Sequence, residues 1–104
     1  MAVKPYMVKA ALVVHEKRIV EGDEVIGIAE LRIWSLPVSQ TFPAGRKFSL
    51  FLVANGKVIV GIDNHAPKGP HAHIGEVERA YRFTTSEQLV EDFWAMVRKA
   101  GFRP

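Results

Sequence analysis

The sequence predicts an α+β domain: a mostly antiparallel sheet of four to five strands with one C-terminal helix packed on one face. Three observations carry this. Asn55-Gly56 joins two apolar-alternating stretches, the signature of a tight β-hairpin. Leu89, Val90, Phe93, Trp94, Val97 and Ala100 recur at helical intervals. The β-type stretches all precede that helix. With 104 residues, 48% hydrophobic and 24% charged, the chain has the size and composition of one globular domain, residues 1–104.

Taken in order, Tyr6 to Val14 is β-branched and apolar and reads as a strand, which Arg18 to Val20 extends or follows with a second. Glu21-Gly22-Asp23-Glu24 is a turn, with Gly22 the residue free to take a positive φ. Val25 to Leu36 is a long strand. Leu31 and Ile33 point one way on it, and Glu30, Arg32 and Trp34 the other. Pro37 ends it, because proline cannot donate to a ladder. Pro37 to Gly45 is a loop. Arg46 to Ala54 follows with Phe48, Leu50, Leu52 and Ala54 on one face, and Lys57 to Asp63 returns with Val58, Val60 and Ile62 on one face.

Asn64 to Gly75, rich in glycine and proline, is expected to be irregular at least at its start, and Ala80 to Phe83 to form a last short strand. Thr84 with Glu87, or Thr85 with Gln88, has the spacing of a helix capping box. Gly101 sits where a helix-terminating glycine belongs. A single helix covers only part of such a sheet. Phe51, Val53, Ile59 and Trp34 are left facing the other side, to be covered by a small second core under the long loop, by a homodimer partner or by a different protein.

Composition excludes several classes of function. There is no cysteine, so no disulfide, thiol nucleophile or cysteine-ligated metal. The formal charge of +3 permits an RNA or acidic partner without requiring one. The longest apolar runs are too short to cross a bilayer, and no secretory leader is evident, so a cytoplasmic protein with no membrane partner is expected. Phosphate-binding, dinucleotide and metalloprotease motifs are absent.

Chemistry concentrates in one segment. His65, His71 and His73 lie close together, preceded by Asp63 and Asn64 and accompanied by Lys68, Arg79 and Tyr81. His71 and His73 are two apart, so in extended backbone their rings share a face. Three readings compete. A histidine pair with Lys68, Arg79 and Arg32 has the residue types needed to cleave an RNA phosphodiester: a base for the 2′-hydroxyl, an acid for the leaving oxygen, and cations for the phosphate. Glu30 could share the base role, and Tyr81 could stack on a base. His-x-His with Asp63 could instead bind a divalent metal. Or the histidines are simply solvated in a polar loop, and Glu30 and Arg32 form the water-facing side of a strand.

The stretch Ile62-Asp63-Asn64, then Lys68-Gly69-Pro70-His71-Ala72-His73, then Tyr81-Arg82-Phe83 and a helix with Leu89, Asp92 and Phe93 resembles the TumE-type toxins of toxin–antitoxin loci. Glu30-Leu31-Arg32-Ile33-Trp34 followed by Pro37 is similar to that family's upstream block. The likeness runs from about Ala10 to Val97 and departs from the family pattern at Ile62, Pro70 and Ala72. It implies a toxin neutralised by a cognate antitoxin protein. It also makes His71 and His73 the leading pair, with Asp63, Asn64, Lys68 and Glu30 next; His15 and His65 fall outside the matched motif. The expectation is a metal-independent ribonuclease without a cofactor. His71 and His73 exchange protons, Asp63 orients a histidine or acts through Asn64 on the loop, Lys68 and Arg79 bind phosphate, and Glu30 helps as base. A non-catalytic binding module and a metal-dependent hydrolase are the alternatives.

Overall fold

The computed structural model describes residues 10–104. Six strands form one antiparallel sheet in sequential order: β1 (Ala11–Gly22), β2 (Val25–Ser35), β3 (Arg46–Ala54), β4 (Lys57–Asp63), β5 (His71–Ile74) and β6 (Val77–Ala80). One helix, α1 (Ser86–Lys99), follows. The α+β class stands, with six strands in place of four to five. Among the described residues no helix is long and apolar enough to cross a membrane.

β1 is one long strand through Arg18 to Val20. The part of the expected first strand before Ala10 lies outside the described residues. At the β1–β2 turn the positive φ falls on Glu24 (57°) and not on Gly22. Gly22 serves close approach instead: a Cβ there would lie 2.8 Å from the Phe102 ring. The β3–β4 turn has positive φ at both Asn55 (52°) and Gly56 (72°), as a type I′ hairpin requires. The register of that hairpin shifts after Leu52↔Val60, so that Val53 faces Val58. This bulge puts Val58 on the face opposite Val60 and Ile62, where simple alternation would have kept them together. It also lets Ile59 pack against the core.

The inner face buries Val20, Leu31, Ile33, Phe48, Leu50, Leu52, Val60 and Ile62 beneath Leu89, Phe93 and Val97 of α1. The Oγ1 of Thr85 caps the helix by accepting from the Gln88 N–H at 3.1 Å. At its end Gly101 takes φ 91°, and the N–H of Phe102 reaches the Val97 carbonyl at 3.1 Å. Arg103 then pairs with Glu21 through two backbone bonds of 2.6 and 2.8 Å, which fastens the chain end to β1. The helix thus covers the core of the inner face, and among the described residues nothing covers the outer face.

Candidate active site

The last third of the sheet brings the expected histidine pair together on the outer face. The short β5 strand places His71 opposite Asp63 and His73 opposite Gly61 on β4, so both imidazoles and the Asp63 carboxylate share one side. The expected final strand at Ala80 to Phe83 forms earlier, as β6. Its pairing sets Glu78 opposite His73.

Asp63 is the hub. His71 Nε2 lies 3.2 Å from its Oδ1 and His73 Nε2 lies 3.0 Å from its Oδ2. The N–H of His65 donates to Oδ1 at 2.9 Å, which holds the carboxylate in place. The two rings stand edge to face with centroids 4.8 Å apart. His71 Nδ1 sits 2.6 Å from the Gly69 carbonyl, so that nitrogen carries a proton and donates it. His71 Nε2 then faces Asp63 and, at 3.3 Å, Glu78 Oε1. Lys68 Nζ donates to both Glu78 oxygens at 3.0 Å. This hydrogen bond, with the neighbouring lysine and histidine charges, holds the Glu78 carboxyl below the usual carboxylate range.

Phe51 forms a wall of the site, with its ring 5.7 Å from that of His73. The ring lies over Gly61, where a Cβ would come within 2.2 Å of it, so only glycine leaves room on β4. These groups line a pocket of about 520 Å³, together with Ser49, His65 and Lys68. Asp63, His71 and His73 offer donor atoms all within 4.8 Å of one another and could hold a divalent ion.

The other expected site residues go elsewhere. Glu30 lies on β2, three strands from His73, a separation of about 14 Å at normal strand spacing. His15 and Arg32 both meet its Oε2, at 3.1 and 2.8 Å. Those contacts, the His15 hydrogen bond first, hold the Glu30 carboxyl below its ordinary value and so make it a weaker base. Arg32 shares a cross-strand row with Ser49, Asp63 and His71 and points to the same face, two strands from Asp63. Arg79 pairs with Ala72 and therefore faces the opposite side, beside Met96 and Lys99 of α1. Tyr81 donates to Asp92 Oδ2 at 2.6 Å and ties the helix to the sheet; burial, reinforced by that carboxylate, pushes its phenol up.

Asn64 is buried. It donates to the Arg46 carbonyl at 2.7 Å and accepts from the Phe48 N–H at 2.9 Å, so it plugs the start of β3. Asn64→Ala strands both backbone groups and is expected to cost about 2–6 kcal/mol, at about 1–3 for each unsatisfied group, as read from urea unfolding.

Sequence reasoning missed Glu78, Phe51 and the pocket position of His65. In sequence Glu78 is one more charge on a polar segment, and the β5–β6 register with the His71 contact places it at the site. Gly61 was the available signal for Phe51, since a glycine inside a strand marks a close approach.

No curated protein and no solved structure matches the chain. A profile of the family described as Toxin TumE matches residues 9–100. That match takes in every strand, the histidine pair and the helix, and the chain belongs to the TumE toxin family.

Proposed function

We propose that this toxin acts by cleaving RNA through acid–base chemistry at His71 and His73. The observation that carries the reading is the Asp63 carboxylate held between two imidazole nitrogens, at 3.2 and 3.0 Å, on the wall of an open pocket. His73 Nε2–H donates to Asp63, which leaves Nδ1 as the basic nitrogen. His71 donates from Nδ1 to a carbonyl and presents Nε2 to two carboxylates. All these contacts are favourable together only when both of its nitrogens carry protons, the form of a general acid.

In this scheme His73 takes the 2′-hydroxyl proton as O2′ attacks phosphorus. The P–O5′ bond breaks, and His71 gives its proton to the departing O5′. The products are a 2′,3′-cyclic phosphate and a 5′-hydroxyl. Lys68 at the pocket rim supports the phosphoryl oxygens, and Arg32, about 10 Å across the sheet from Asp63, meets a neighbouring phosphate.

A second reading has its own support. A histidine braced through Nδ1 on a carbonyl, with Nε2 beside a carboxylate and another imidazole, is how metal-ligating histidines are oriented. It implies hydrolysis assisted by a divalent ion.

One experiment separates the readings. Total RNA is inspected after induced expression, and the purified protein is assayed with and without EDTA. Acid–base cleavage predicts EDTA-resistant fragments with cyclic phosphate ends, formed at least about 10²-fold more slowly by folded His71→Ala/His73→Ala. A folded double variant that remains equally toxic overturns catalysis by this pair. Loss of activity in EDTA with recovery on adding Zn²⁺ establishes the metal reading instead.

A further inference from the structure

Away from the histidines, the open face of the sheet is apolar. Ile19, Ile28, Val53 and Val58 lie opposite one another in a single row across β1 to β4. They are 66%, 45%, 40% and 43% exposed, and Ile26, one row further out, is 65% exposed. Scattered surface aliphatics are ordinary, but five β-branched side chains joined across four strands form a patch of the kind that binds protein.

The next row along the strands, about 7 Å away, carries Lys17, Glu30, Phe51 and His73, and the row after that His15, Arg32, Ser49, Asp63 and His71. The patch is therefore continuous with the candidate active site. Beside the patch, Lys17 stands opposite Glu30, Glu21 stands opposite Ile26, and Arg32, one row further on, is paired with Glu30.

We propose that the row Ile19–Ile28–Val53–Val58 is the seat of the antitoxin, occupied by a segment that sets aliphatic side chains on the patch. Membership of a toxin family implies such a partner. The +3 of the whole chain favours an acidic occupant over a second copy of the same basic chain. A helix about 10 Å across, laid on the row, also overlies the next row with Phe51 and His73. Neutralisation then follows from covering the pocket mouth, whatever reaction the pocket performs, so this inference stands apart from the RNA-cleavage reading.

The test is to co-express the full chain with the product of the neighbouring antitoxin gene and to measure complex formation on the purified proteins. Ile28→Asp/Val53→Asp is expected to bind roughly 30-fold or more weakly, while Val77→Asp, an exposed position on the opposite face, binds like the wild type. Equal binding by the double variant overturns the proposal. So does a dimer of the isolated toxin that the double variant converts to monomer, which assigns the face to a second copy. A readout that does not depend on the double variant folding uses the absence of cysteine from the chain. Ile19→Cys is expected to react with a maleimide freely alone and at least about 10-fold more slowly in the complex, the least that a seat over Ile19 implies. An unchanged labelling rate overturns the proposal.

Discussion

Asp63→Asn is expected to lower RNA cleavage by about 10²-fold or more without unfolding the protein. Asparagine keeps the shape of the side chain, and its oxygen can still accept the His65 N–H that now reaches Asp63 Oδ1 at 2.9 Å. It cannot serve both imidazoles. One carboxylate oxygen becomes an NH₂ group, which meets a ring N–H donor to donor at either His71 or His73. The ring that loses its acceptor loses its orientation. Single-turnover rates of fragment formation, set against the thermal midpoint of the same variant, give the result. An unchanged rate in a folded variant removes Asp63 from the mechanism and leaves it as a loop brace.

Phe93→Ala carries the largest expected loss of stability, about 3–5 kcal/mol in urea unfolding, the usual cost of emptying a buried phenylalanine site. Phe93 is completely buried, and its ring lies 5.3 Å from that of Trp94 in an edge-to-face contact. α1 is the sole helical cover of the inner face among the described residues, so no neighbouring element can collapse into the gap. Against a total of about 5–15 kcal/mol for a domain of this size, the loss brings the protein close to half-unfolded at the low end. A cost under about 1 kcal/mol would mean that Leu89 and Val97 alone hold the helix.

The central hairpin was legible because its signals are local. Asn55 and Gly56 occupy the two positive-φ positions of a type I′ turn, and alternation around them marks two strands with the observed ends. The helix was legible for the same reason, with Thr85 and Gly101 at its two ends. The bulge at Val58 and Ile59 left no mark in the sequence, because either alternation buries aliphatic residues equally well.

The site was half legible. The spacing of His71 and His73 is strand alternation, so their common face followed once β5 formed. Which other charges join them is set by register, and register is non-local. Glu78 and Arg79 are adjacent in sequence and polar alike, yet one reaches His71 and the other lies against α1. Asn64 looked like a partner for substrate because a polar residue beside a histidine cluster invites that reading. Its amide is consumed by two backbone groups of β3. Family resemblance marks it as a motif residue, and these contacts give it a structural role at β3.

The histidines ride on a hairpin of two four-residue strands, and every residue of β6 is exposed, whereas Asp63 belongs to a strand anchored in the core. Fraying of this outermost hairpin costs little buried apolar surface, so it opens far more readily than the domain melts. Each such excursion carries both imidazoles away from their carboxylate and then returns them. The candidate site is thus assembled and dismantled by a motion that leaves the rest of the protein folded.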